Sequence, residues 1–262
     1  MSEFFRRAAG AGCDMIQKAR LAATVVLLRP AEPRGFEVLL TRRPAGMAFL
    51  AGAYCFPGGT LRKQDFSETM LRRARGITPD QAQKIIGAEF SPRRALGLWI
   101  AAIRELYEEA GILFAVNGAG ESILTRNGPI SRPAEKHPCL LGNTVNFRAL
   151  LESEGLFCDL AALAHFSHWQ TPAQASLRFD THFFLACVPA DSPVLPPSSE
   201  VAHSIWLTPD EALRRFSKNE LPMILPTFAS LRTLADYDSL ASVLKEYRVS
   251  KSWRSVRGPV KN

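Results

Sequence analysis

Arg104-Glu105-Leu106-Tyr107-Glu108-Glu109-Ala110-Gly111-Ile112 is the stretch on which the reading of this chain turns. On a helix, Glu105, Glu108 and Glu109 stand at i, i+3 and i+4, so three carboxylates share one face. Trp99, Ile103, Leu106 and Ala110 fall on another face at a spacing that suits a core. Arg104 lies one turn before Glu108 and can pair with it, orienting that carboxylate. Like-charge neighbours on a helix cost only about 0.2–0.5 kcal/mol per pair. An idle acidic face is therefore the ordinary outcome for three glutamates on an arbitrary helix. Clustered carboxylate oxygens also suit a hard cation, and Mg²⁺ bridging substrate phosphates is the commonest use of such a cluster.

Outward from this stretch, the helix opens at Ser91-Pro92, a capping residue followed by proline at the first helical position, and closes at Gly111. Upstream, Ala22 to Arg29 and Phe36 to Arg42 read as strands joined by the turn residues Pro33-Arg34-Gly35. Residues 66–92 read as a helical excursion in two pieces, the second begun by Thr78-Pro79-Asp80. Arg72, Arg73 and Arg75 fit a solvated helix face there. Downstream, Ile112 to Val116 reads as a strand, 117–138 as a loop and Asn143 to Glu154 as a helix. Leu163–Trp169, Thr181–Val188 and Val201–Leu207 read as strands. Helices over 210–250 end the chain, one starting at Thr208-Pro209 and one running from Leu225 to Tyr247. His165 and His168, three apart in a strand, are expected on opposite faces and so in packing or hydrogen bonding. A single domain spanning 1–262 is the expectation, with a loose arm over 1–20.

The wider pattern resembles the Nudix hydrolase family. Its signature is Gly, five residues, Glu, seven residues, then Arg-Glu-apolar-x-Glu-Glu-x-Gly-apolar. Arg104 to Ile112 fits the second half at every specified position, and Phe56-Pro57-Gly58-Gly59 fits the usual entry, with Gly59 as the signature glycine. Asp65 stands where the short signature has Glu, and 38 residues separate it from Arg104. Both departures resemble the peroxisomal-type coenzyme A diphosphatase branch. So do Arg178-Phe-Asp-Thr-His-Phe-Phe-Leu185, His168-Trp169 and, more loosely, Leu39-Leu-Thr-Arg-Arg43. Arg62 departs from that branch, which tends to place an acid there.

The resemblance implies an α/β fold, the Nudix α/β/α sandwich with a mixed sheet. It also implies a Mg²⁺ (or Mn²⁺) site from the Gly58 carbonyl, Glu105, Glu108 and Glu109, joined by the later acid Glu200. Arg104 is counted with the catalytic set. Arg42, Arg43, Arg62, Asp65 and Arg178 are expected near the substrate, the arginines because a guanidinium fork suits phosphoryl oxygens. The implied reaction splits coenzyme A or acyl-CoA into 3′,5′-ADP and (acyl-)phosphopantetheine. Other nucleoside diphosphate derivatives (NADH, ADP-ribose, dinucleoside polyphosphates) are the alternative. A non-catalytic Nudix-fold regulator is the rival of another class; loss of the signature glutamates would be its sign, and all three are present.

Composition is compatible with this and excludes little. The net charge of +7 suits a polyanionic ligand. Nucleic acid is disfavoured because no basic patch interleaved with aromatics is evident. The longest apolar stretches, such as Leu21 to Leu28, fall far short of the ~20 residues of a membrane helix. Arg6-Arg7 before Cys13 lacks the apolar segment of an export signal. Five scattered cysteines with no CxxC pair point to reduced thiols. The ending Val-Lys-Asn is not a peroxisomal address, so a cytoplasmic enzyme is expected. A homodimer stays open.

Overall fold

A computed structural model describes residues 18–32, 35–47, 50–124 and 146–249. Most of the expected N-terminal arm and of the 117–138 loop lie outside them, as do the first residues of the helix expected from Asn143, whose described part is α4 (Phe147–Ser153). The Val- and Leu-rich segment Arg20–Pro30 forms β1 and Phe36–Arg42 forms β2, paired antiparallel from Leu28↔Val38. Two short strands follow, β3 (Tyr54–Cys55) on β2 and β4 (Gly58–Thr60) on β1. Later strands are β8 (Ala164–Gln170), β9 (Phe179–Cys187) and β10 (His203–Leu207). The resulting seven-stranded sheet runs β10-β2-β1-β9-β8, with β9 parallel to β1 and the other neighbours antiparallel.

Strand alternation gives this sheet two buried faces. Val25 and Leu27 of β1 and Phe184 and Ala186 of β9 pack under α3 (Pro92–Ala110). Val26 and Leu28, with Phe183 and Leu185, pack instead under α6 (Leu225–Ala235) and α7 (Leu240–Glu246). The fold is thus an α/β/α sandwich around a mixed sheet, as expected. One correction falls at the C-terminus, where the single helix expected from Leu225 to Tyr247 is two. Ser239 accepts a hydrogen bond from the Ser242 amide and starts a new helix. The Thr-Pro signal upstream holds: Thr208 caps α5 (Pro209–Ser217) through the Glu211 amide.

The insert differs more from its reading. It contains α1 (Glu68–Leu71) and α2 (Pro79–Ile86), but between them lies β5 (Ala74–Arg75). This strand runs parallel to β7 (Phe157–Asp159), which also pairs with β6 (Ala115–Val116), making a second sheet of three strands. Arg73 and Arg75 do not line a solvated helix face. Their guanidinium groups lie 5.1 and 4.3 Å from the Phe157 ring centre, the arrangement of a cation–π contact. On the inner side a 3₁₀ turn, Lys63–Phe66, presses on α3 at Gly97, where a Cβ would come within 2.8 Å of the Phe66 Cβ. The insert is therefore packed onto the outer side of α3, and that helix is buried almost all round.

Candidate metal and phosphate site

The site begins with a helix end. Ser91 caps α3 at its start, accepting from the Arg94 amide, and Gly111 ends it at φ 74°, left-handed backbone that glycine adopts without strain. Between them the helix carries Arg104 and the three glutamates to the edge of the sheet beside β4. Pairing of β4 with β1 fixes what β4 offers. The Val25 amide donates to the Pro57 carbonyl and the Leu61 amide to the Leu21 carbonyl, so residues 57 and 61 face β1. The intervening residues Gly58 and Thr60 consequently turn their peptide groups the other way, toward α3. The Gly58 amide donates to Glu109 at 3.1 Å, and the Thr60 carbonyl accepts from Arg104 at 3.1 Å.

Glycine is needed at both positions because two elements approach closely. A Cβ on Gly58 would sit 2.6 Å from the Ala23 carbonyl, and one on Gly59 would sit 2.6 Å from the Glu105 carboxyl carbon. Gly59 therefore lies directly against Glu105, and the two halves of the signature meet in space despite the insert between them.

Arg104 is the hub. Its guanidinium is buried, and its five N–H groups all find acceptors. Nε and Nη2 hold Asp65 at 2.8 and 2.9 Å, and Nη1 reaches Glu105 at 2.6 Å and Glu108 at 3.0 Å. Nη2 also takes the Thr60 carbonyl. Burial opposes the charge, but the hydrogen bonds that Arg104 donates to Asp65 and the charges of Glu105, Asp65 and Glu108 outweigh it and raise the Arg104 pKa. Asp65 was expected near the substrate. The structure gives it another place: it is buried, both oxygens face Arg104, and it also accepts from the Arg62 amide at 2.8 Å. Aspartate is one methylene shorter than glutamate, which suits an acid held this close to a guanidinium buried beneath the insert.

The glutamates divide their partners. Glu108 receives a bidentate pair from Arg62 at 3.0 and 2.9 Å, while Arg62 also stands 3.8 Å from Glu105. Arg62 is half-exposed, whereas the carboxylates beneath it are nearly covered. Burial pushes the Glu105 carboxyl up, with Arg104 pulling the other way. Glu109 is pushed up to about 8, first by burial and then by the charge of Glu105. The Gly58 amide and the Arg43 charge oppose that rise, and Glu200 adds to it. Arg43 and the exposed Glu200 thus both lie close enough to act on Glu109.

Two other residues expected near the substrate, Arg42 and Arg178, have hydrogen-bond partners outside the carboxylate cluster. Arg42 is exposed, donates to the Gly52 carbonyl at 3.3 Å and lies 5.9 Å from the Tyr54 ring centre. Arg178 is buried at the start of β9, with Nε on the Thr171 carbonyl. It precedes the Arg20↔Phe179 pair, roughly 13 Å along β1 from the Thr24↔Gly58 pair.

The donor set suits a divalent cation. Four carboxylates, Asp65, Glu105, Glu108 and Glu109, converge here; Arg104 holds the first three, Arg62 adds to Glu108, and Arg43 and Glu200 act on Glu109. All the side-chain donors are hard oxygens. Arg62 could not have been placed on Glu108 from sequence, because that contact depends on the turn at Lys63–Phe66.

Comparison with known proteins agrees with this geometry. The model of the NUDT19 Nudix domain matches residues 17–234. The chain is 30% identical to the acyl-coenzyme A diphosphatase NUDT19 of Gallus gallus over 252 residues, 82% of this chain and 65% of that protein. It is 29% identical to the Homo sapiens protein of the same name over 249 residues, 83% of this chain and 65% of that one. It thus spans just under two thirds of the length of these relatives. Among solved structures, a Nudix hydrolase from Alicyclobacillus acidocaldarius superposes with a TM-score of 0.73 at 28% identity, covering 89% of this chain and 98% of that one. With its glycine loop closed on an arginine-braced glutamate helix, the chain belongs to the Nudix hydrolase family, within the group described by the NUDT19 Nudix domain.

Proposed function

We propose that the chain, acting as one domain, is a divalent-cation-dependent diphosphatase that hydrolyses coenzyme A or acyl-CoA to 3′,5′-ADP and (acyl-)phosphopantetheine. The observation that carries this reading is the arginine-braced carboxylate cluster set against Gly58 and Gly59. The coenzyme A part rests on the named activity of the NUDT19 relatives. Glu105, Glu108, Glu109 and the Gly58 carbonyl would hold Mg²⁺ or Mn²⁺, with Glu200 as a further acid from its loop. A bound ion of this kind neutralises diphosphate charge and lowers the pKa of a coordinated water.

The chain's own residues do the rest. Arg104 spans Asp65, Glu105 and Glu108 and so fixes the two glutamate carboxylates before substrate arrives, which is electrostatic preorganisation. Water oxygen attacks one phosphorus, the bond from that phosphorus to the bridging oxygen breaks, and the second phosphate leaves. The proton released by water passes to a carboxylate of the site, one of the signature glutamates or the later acid Glu200. With a cation held by Glu108, Arg62 would be freed to reach the substrate phosphates, and Arg43 would add positive charge beside Glu109. A cytoplasmic location and a small-molecule nucleotide substrate complete the proposal.

The test is a panel of coenzyme A, dephospho-coenzyme A, NADH and ADP-ribose, with products read by mass spectrometry in Mg²⁺ and in EDTA. Coenzyme A cleaved at the diphosphate only with the cation present is the expected result. Turnover undiminished in EDTA overturns the cation requirement. Faster cleavage of NADH or ADP-ribose overturns the substrate.

A further inference from the structure

Across the sheet from Gly59 lies a second group of titratable side chains that the hydrolytic site does not use. Gly59 pairs with Ala23 and Ala23 with His182, and His182 in turn faces His168. His182 therefore stands two strands from Gly59, roughly 10 Å away, on the face covered by α3. Asp180 precedes it by two residues on the same face. His168, Asp180 and His182 each offer a ligand atom within 4.8 Å of the others.

His165 also reaches this group, which corrects the expectation that it and His168 point apart. The β8–β9 register shifts between His165 and Ser167, a bulge that adds one residue to β8 and restores both rings to one face. His165 Nε2 lies 3.1 Å from His182 Nδ1, while the His168 ring stacks on His182 at 4.3 Å, 5° from parallel.

We propose that His168, Asp180 and His182 form a second metal site, for a borderline divalent transition ion such as Zn²⁺, with His165 as its orienting partner. Four observations support it. His182 is 1% exposed, and its Nε2 is buried with no hydrogen-bond partner. Its Nδ1 is engaged by His165, the arrangement in which a neighbour on one ring nitrogen fixes the other as a metal ligand. The ligand atoms of His168, Asp180 and His182 already lie within 4.8 Å of one another, close enough to converge on one ion. His168 and Asp180 hydrogen-bond each other at the outer edge of the sheet, where 42% of the His168 side chain is exposed. That exposure gives an ion a way in. It also gives His168 the room it needs to turn out of the stack, because parallel rings cannot aim both lone pairs at one ion. Two imidazoles and one carboxylate favour Zn²⁺-like ions over the hard cations suited to the glutamates.

This proposal is independent of the one above, and its test keeps the two sites apart. Zn²⁺ is titrated calorimetrically into the full chain in excess Mg²⁺, and its ligands are read by X-ray absorption. One Zn²⁺ per chain with imidazole ligation is expected, undisturbed in Glu108→Gln. Binding should weaken at least ~10-fold in His168→Ala and Asp180→Asn, and ~10- to 100-fold in His165→Phe, as loss of a ligand's orienting partner does. His168 is the most exposed of the group, so His168→Ala is the variant least able to disturb the fold, and the melting temperature of each variant is measured beside its binding. Zn²⁺ that is lost in Glu108→Gln but unaffected by His168→Ala overturns the proposal. So does an absence of any bound equivalent, which would leave water as the only partner of the orphaned nitrogen.

Discussion

The carboxylates of α3 and the histidines of β8 and β9 bury ionisable groups against one face of one sheet, yet they solve the resulting electrostatic problem in opposite ways. In the helix cluster the charges around Arg104 remain and are paired, with every N–H spent on Asp65, Glu105, Glu108 and Thr60, while Glu109, on the Gly58 amide instead, is pushed up by burial. In the strand cluster the charges are avoided. Burial first, then the nearby His168, holds His165 down to about 4, as it holds His182 to about 3. A matched cluster depends on each partner being present, whereas a neutral one depends on pH. That difference can be tested by removing partners from the first and protons from the second.

The largest effect is expected from Arg104→Met. Removing one side of a buried ion pair leaves the other uncompensated, at about 3–5 kcal/mol. Asp65 and Glu105 would both be stranded, so turnover should be undetectable and the denaturation midpoint should fall sharply. A variant with near-native stability would mean that the cluster is not held by matched charge.

Glu108→Gln comes next, since it keeps the helix and its shape while removing a charge. Hydrolysis should fall at least ~10²-fold, given the several kcal/mol a catalytic cation supplies. The melting temperature should move little. A near-native kcat would move the cation site off Glu108. Smaller again is Gly59→Ala, whose methyl group would press on Glu105 at 2.6 Å. Overpacking of this kind costs about 1–3 kcal/mol, and activity should drop with stability. Unchanged kinetics and stability together would contradict the close approach.

The smallest effects should be slopes with pH, and they run in opposite directions. Folding raises the Glu109 pKa from its ordinary 4.5 to about 8. Between those values the folded protein keeps a proton that the unfolded chain has lost, so stability without a cation falls as pH rises through this window. Folding lowers His182 from 6.5 to about 3. Below pH 6.5 the unfolded chain takes up a proton that the folded one refuses, so stability falls as pH drops toward 3. Chemical denaturation in EDTA should show both limbs. Glu109→Gln should flatten the upper limb alone and His165→Gln part of the lower, and an upper limb unaltered by Glu109→Gln would argue against the raised carboxyl.

The same contrast explains what the sequence made legible. The glutamate helix is readable because its geometry is local: Ser91, Pro92 and Gly111 mark its ends, and a period of 3.6 sets Glu105, Glu108 and Glu109 on one face. The order and type of the main strands were readable for a similar reason, from runs of Val and Leu. The histidine cluster was not, because a strand's facing depends on its pairing, and one bulged residue reverses every side chain beyond it. The strand β5 was missed because two residues leave no period to detect, and its partner lies more than 80 positions away at Cys158. Asp65 was visible as a departure from the family pattern. Its role emerged only when the insert was seen to fold it back onto Arg104.

That fold-back also sets an order of events during synthesis. The 38 residues between Asp65 and Arg104 take roughly 2–8 s to translate at ~5–20 residues per second. Through that interval the Gly58–Asp65 loop waits on the ribosome without the guanidinium that will cover its acid. The wait for β1 is longer still, since its parallel partner β9 begins at Phe179. A nascent chain halted just after Gly111 would hold every carboxylate of the signature and lack the strand β9 that lines the α3 side of the sheet. Cation binding should therefore be a late property of the growing chain, acquired when the last central strand closes the sheet rather than when the motif itself is complete.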